Sequence, residues 1–167
     1  DGIITNALIE NNVIYGNGAA GGAAINLDGV QDSVVKNNLL YDNHATGIVN
    51  YMGDGAEGPR GMRILHNTVD QASNARWALL MWNTSGPNVV RNNKISASAG
   101  YAVKIQSDED EYDNGGNVVE GNEFSGIAAE ILKIKAKTPQ GRMCGNQVPG
   151  GQATVDGDFT GDLTGPC

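Results

Sequence analysis

The chain has 167 residues, 40 % hydrophobic and 18 % charged, with 24 glycines and a formal net charge of −8. That length suits one domain with a real core and is too short to argue for two, while the apolar fraction excludes a wholly disordered chain. The negative balance argues against nucleic acid and an anionic membrane surface as partners, since both need clustered Lys and Arg, and no apolar run approaches the roughly 18 residues of a membrane span.

Abundant glycine and asparagine suit short strands joined by tight turns. The first such stretch is "LIENNVI", Leu8 to Ile14, in which apolar pairs flank a doubled asparagine. The frame returns down the chain as "VVKNNLL", "ILHNTV", "VVRNNKI", "VVEGNEF" and "MCGNQV". With Asn12 as anchor, the matching residues are Asn38, Asn67, Asn93, Asn122 and Asn146, at intervals of 26, 29, 26, 29 and 24. Three positions before each anchor stands an apolar residue: Ile9, Val35, Ile64, Val90, Val119 or Met143. Two positions after it stands another: Ile14, Leu40, Val69, Ile95, Phe124 or Val148. The position just before the anchor is Asn11, Asn37, His66, Asn92 or Gly121. Asn and Gly tolerate positive φ best, which predicts a bend there and makes His66 a turn residue rather than a base.

A second apolar segment follows in the first five frames, as "AINLD", "GIVNY", "ALLMW", "AVKIQ" and "ILKIK". Alternation turns Ile25 and Leu27, Ile48 and Asn50, Leu79 and Met81, Val103 and Ile105, and Leu132 and Ile134 inward, with Asn50 the exception among them. The outward residues form two rows: Asn26, Val49, Leu80, Lys104 and Lys133, then Asp28, Tyr51, Trp82, Gln106 and Lys135. One repeat is therefore two or three short strands with no helical crossover, and it cannot bury its own apolar side. Stacking coil on coil does so, giving a solenoid of parallel sheets with strands about 4.8 Å apart. Anchors stacked along the axis predict a ladder of amides that satisfy each other and the turn backbone.

This pattern resembles the right-handed parallel β-helix proteins of the pectate-lyase-like group, whose coils commonly stack asparagines at an inward turn. The resemblance spans about residues 3–148. It implies an all-β, single-stranded right-handed parallel β-helix of about six coils with an inward asparagine ladder. Residues 1–150 form the coils and 151–167 a capping tail of the same domain. The handedness comes from the resemblance and agrees with the general preference for right-handed parallel crossovers. The group holds polysaccharide lyases, glycoside hydrolases, epimerases, tailspikes and adhesins, so it implies a fold and not an activity. Its diagnostic catalytic motifs are not recognisable in this chain, and no catalytic residue is carried over.

Two insertions, Tyr51 to Gly61 and Ser107 to Gly116, fall at the same point of two coils, the usual place for function on a solenoid. Beside them Tyr51 and Trp82 are expected to face outward on neighbouring coils, either as a platform for sugar rings or packed beneath the loops. Lys104, with Lys133 and Lys135, makes a small basic group on an acidic protein, suited to uronate carboxylates or simply solvated. Asp28 ends its strand at the same edge and completes the candidate substrate-binding set of Tyr51, Trp82, Lys104 and Asp28. A hydrolase needs two carboxylates across a cleft, but no spacing selects a pair among Asp28, Asp54 and Asp108. The acidic loop carrying Asp108, Asp110 and Asp113 is a candidate calcium site, or a solvated turn; no cofactor is required.

Cys144 and Cys167 are the only cysteines. They are either a disulfide that pins the tail in an oxidising compartment or two unpaired thiols. Residue 1 falls directly in coil sequence, with no signal peptide and no amphipathic helix ahead of it. An open solenoid end invites association, so a removed preceding segment or end-to-end self-association is expected. The leading expectation is a secreted or cell-surface protein that binds, and in one version processes, an extracellular polysaccharide. The alternative is a non-catalytic structural or adhesion module.

Overall fold

The computed structural model describes residues 2–96, 100–106, 112–126, 131–135, 139–148, 155–157, 159 and 161–167. Among the described residues there is no helix, and the paired strands run parallel throughout. Three short strands and three bends make one turn, and successive turns align their strands into three sheets. The first sheet holds Leu8–Glu10, Val34–Lys36, Arg63–Leu65, Val89–Arg91, Val118–Glu120 and Met143–Cys144. The second holds Val13–Tyr15, Leu39–Tyr41, Thr68–Asp70, Lys94–Ser96 and Glu123–Ser125. The third holds Ala23–Asp28, Thr46–Tyr51, Leu79–Trp82, Val103–Gln106, Leu132–Ile134 and Val155–Gly157. A short extra pair joins Ile4–Thr5 to Val30–Gln31.

The solenoid has about five turns rather than the six coils expected. Six anchors delimit five complete turns, and among the described residues the last frame reaches the second sheet through an isolated bridge between Glu123 and Gln147.

The bend between the first and second sheets has a local cause. Asn11, Asn37, His66 and Asn92 adopt φ of 59°, 55°, 54° and 55°, and Gly121 one of 63°, the left-handed conformation that bends the chain from one strand into the next. The next residue, the anchor, then points inward. From Asn12 to Asn122, each anchor donates both its backbone N–H and its Nδ2 to the Oδ1 of the anchor in the following turn, at 2.8–3.0 Å. From Asn38 onward, Nδ2 also reaches a carbonyl of the preceding turn: Ile9, Val35, Ile64, Val90 or Val119. A buried amide costs free energy unless it is hydrogen-bonded; here the ladder satisfies it. The amide-to-amide bonds are also polar: from Asn12 to Asn122 the anchor donates to the Oδ1 of the following turn, and from Asn38 to Asn146 that Oδ1 accepts from the preceding one.

The interior follows the expected rows. Val35, Ile64, Val90 and Val119 pair in register in the first sheet, and Leu40, Val69, Ile95 and Phe124 in the second. In the third sheet Ile48, Leu79, Val103 and Leu132 form one inward row, and Met81, Ile105 and Ile134 continue another. All are buried, each contributing about 1.5–3 kcal/mol of transfer free energy. Asn50 interrupts this second row between Leu27 and Met81. It is 0 % exposed, and neither its Nδ2 nor its Oδ1 has a hydrogen-bond partner among the described residues.

At the C-terminal end Cys144 and Cys167 form a disulfide, with Cα atoms 5.2 Å apart. That decides between the two readings of the cysteines. Among the described residues no helix is long and apolar enough to cross a membrane.

Candidate functional site

The outer face of the third sheet carries a groove of about 330 Å³. Its floor is the outward row of Asn26, Val49, Leu80 and Lys104, and its side is the neighbouring row of Tyr51, Trp82 and Gln106. Strand register produces both rows: Asn26 pairs with Val49, Val49 with Leu80 and Leu80 with Lys104, while Asp28, Tyr51, Trp82 and Gln106 follow in the next. Apolar Val49 and Leu80 on the outside of a sheet would be out of place under open water. Below a recess they form its apolar floor.

Tyr51 and Trp82 lie parallel within 3°, with ring centroids 6.1 Å apart. Across the groove Lys104 places its ammonium 4.0 Å from the centroid of Trp77, a contact that holds a cation in place. Arg76 joins Trp77 on that wall. One turn further, Lys133 stands over Tyr101 at 5.4 Å, and Lys133 pairs with Lys104 in register. Among the described residues the lining carries Lys104 and Arg76 and no carboxylate, two cations on a protein of net charge −8.

Of the four sequence-predicted binding residues, Tyr51, Trp82 and Lys104 line this groove and Asp28 does not. Both Asp28 oxygens are taken up by the first insertion: Oδ1 accepts from the N–H of Gly53 and Gly55 at 2.9 and 3.1 Å, and Oδ2 from that of Asp54 at 2.9 Å. Burial pushes the Asp28 carboxyl up, but these three N–H groups and the Tyr51 hydroxyl outweigh it and hold the pKa below the ordinary aspartate value. Asp28 thus ties the loop and the Tyr51 ring to the end of its strand. The loop also needs glycine at a close approach: a Cβ on Gly55 would lie 2.6 Å from Cα of Gly29.

Arg76, Trp77 and Tyr101 escaped the strand pattern. Trp77 shares the parity of inward Leu79, yet it precedes the strand Leu79–Trp82, where alternation does not apply. The available signal was positional: Trp77 and Tyr101 each stand two residues before a strand of the third sheet.

The remaining candidates lie elsewhere. Asp108 and Asp110 of the proposed calcium loop lie outside the described residues, and Asp113 is half-buried. Among the described residues, the one group of three metal-capable side chains is Glu120, Cys144 and Cys167. Its sulfurs are bonded to each other, and Glu120 is held by Arg91 and by Arg142, the latter at 2.7 Å. His44 contacts Asn74 at 2.9 Å on the exposed surface, and His66 is the bend residue already described. No family model, curated protein or solved structure matches this chain.

Proposed function

We propose that the chain binds an anionic polysaccharide, of the polyuronate kind, along the groove on the third sheet. One observation carries this reading: two parallel aromatic rings and two cationic side chains line a single recess, without a carboxylate among its described lining residues. Sugar rings present apolar C–H surfaces to aromatics, and uronate carboxylates match Lys and Arg. Hydrolysis would need two carboxylates flanking the bond, and the nearby Asp28 is occupied by loop backbone. Lys104, seated over Trp77, acts as a charge partner for the ligand. The reading is one of binding, on a scaffold whose ladder and three parallel sheets support kinship with the pectate-lyase-like β-helices. The disulfide supports an extracytoplasmic location, secreted or at the cell surface.

Retention on immobilised polygalacturonate, compared with a neutral glucan, tests the proposal. The chain is expected to be retained on the polyuronate and released by salt; equal behaviour on both matrices would remove it. Incubation with soluble polyuronate, read by the absorbance of unsaturated products, is expected to stay flat, and a rise would make the groove a lyase site.

A further inference from the structure

The wall that Arg76 and Trp77 give the groove depends on a change of phase at the edge of the third sheet. Strict alternation buries one residue in two, yet Ala78 and Leu79, Ala102 and Val103, and Ile131 and Leu132 are buried as adjacent pairs. The pairs stack turn on turn. The N–H groups of Ile48, Leu79 and Val103 donate to the carbonyls of Ala78, Ala102 and Ile131, at 2.9, 2.9 and 3.0 Å. The residue ahead of the first two pairs, Trp77 or Tyr101, is thereby turned outward, where each ring meets a lysine of the next turn.

Neighbouring turns press on the backbone of this wall from both sides. A Cβ on Gly47 would lie 2.5 Å from the Ala78 carbonyl oxygen, and one on Gly100 would lie 2.9 Å from that of Arg76 and 3.2 Å from Trp77 Cδ1. Behind the wall, inside the coil, stands Gln71, 7 % exposed. Its Nε2 donates to the carbonyl of Ala45 at 2.7 Å and, more weakly, to that of Trp77 at 3.5 Å. Neither carbonyl depends on it. Ala45 also accepts from the N–H of Arg76, at 3.3 Å, and Trp77 from that of Gly47, at 3.1 Å. The Gln71 Oε1 is buried without a partner among the described residues, which costs about 1–3 kcal/mol. A methionine of the same length would orphan neither carbonyl and would remove the unpaired oxygen. Hydrogen bonding in the core therefore does not account for an amide at this place.

We propose that Gln71 is a positioning residue for the groove. From inside, its amide links the turn of Ala45 to that of Trp77 and fixes where the Trp77 ring stands, with Lys104 seated on it. Gln71 lies outside the groove lining and acts through Trp77. An unpaired buried oxygen lowers stability, and such local conflicts are found where they shape a site. The effect on ligand affinity rests on the polyuronate reading; the effect on the ring does not.

Gln71→Met tests this, since it keeps the length of the side chain and removes both amide atoms. In a Trp82→Phe background Trp77 is the one tryptophan, so emission maximum and acrylamide quenching report on that ring alone. The methionine variant is expected to show red-shifted emission and stronger quenching, with a urea midpoint unchanged or higher. With Trp82 retained, affinity for polygalacturonate should fall about fivefold, the size of one exposed cation–π contact. Gln71→Asn keeps an amide but is one methylene too short to hold both carbonyls. It covers the case in which the methionine variant loses the native β-sheet circular dichroism spectrum, and the same Trp77 shift is expected. Unchanged Trp77 emission and quenching in a folded variant overturns the proposal. So does a lower urea midpoint in Gln71→Met, which makes Gln71 an ordinary core residue, or an unchanged affinity once the ring has moved. If the unaltered chain ignores polygalacturonate, the binding reading fails, and the Trp77 signal still decides the role of Gln71.

Discussion

The bend between the first and second sheets and the third sheet are built from the same coils, yet they treat asparagine in opposite ways. At the bend, asparagine stacks turn after turn with its buried donors and acceptors used. In the third sheet, Asn50 interrupts an apolar row, with both amide atoms unpaired among the described residues. The outer sides differ too: the third sheet alternates apolar floor, aromatic wall and lysine, and it is followed by the insertions. What recurs in every turn is architecture. What departs from the repeat collects around one sheet, and that is where binding is proposed.

The comparison breaks most violently at the ladder. Asn93→Leu removes the acceptor for the backbone N–H and Nδ2 of Asn67 and the donors to Asn122 and to the Ile64 carbonyl. Each buried group left unpaired costs about 1–3 kcal/mol, so a loss of roughly 3 kcal/mol or more is expected in denaturant unfolding. Trp82→Ala attacks the other region. It removes a half-buried outer side chain, so the fold should hold while affinity for polyuronate drops about thirtyfold, near 2 kcal/mol. Isothermal titration with circular dichroism as the fold control separates the two effects; unchanged affinity would remove the aromatic wall from the site.

That division also explains what the sequence disclosed. Periodicity reported the ladder, the inward rows and the register of Tyr51 against Trp82, because each is repeated and stacking multiplies a weak local signal. It miscounted turns because anchors mark rungs, and five intervals separate six rungs. It placed Asp28 in the binding set from its strand-end position, whereas three loop N–H groups hold its carboxylate, and those come from an irregular insertion without a template in other turns. Trp77 and Arg76 lie before the strand, where alternation carries no information. The acceptor beyond Asn146 was invisible for another reason: it is the backbone carbonyl of Leu163, which no residue type announces.

Asn50 sharpens the contrast from inside. If asparagine is stabilising only where stacked, then Asn50→Leu should raise stability, since leucine suits a row containing Leu27 and Met81. Removing two unpaired polar atoms and adding apolar contact predicts a gain of about 1–2 kcal/mol in urea unfolding. A loss would show that the buried amide has a partner, such as an internal water.

The smallest expected effect belongs to Asp28, where the third sheet meets its loop. Its pKa in the folded chain is lowered from the ordinary 3.8. The carboxylate's stabilisation is therefore fully present above that value and is lost only as the pH falls through the lower, folded-state value. The loop and the Tyr51 ring it steadies should stay ordered through mildly acid solution and loosen below the ordinary carboxylate range. Asp28→Asn puts an NH2 where one carboxylate oxygen now accepts, so anchoring weakens at every pH and this acid-linked step disappears. Hydrogen exchange at Gly53, Asp54 and Gly55 should then be faster in the variant near neutral pH, with polyuronate affinity down severalfold at most. If those amides exchange alike in both proteins, the loop is held by its backbone contact with Gly29 and Asp28 is dispensable. The irregular loop would then owe its shape to glycine packing rather than to charge.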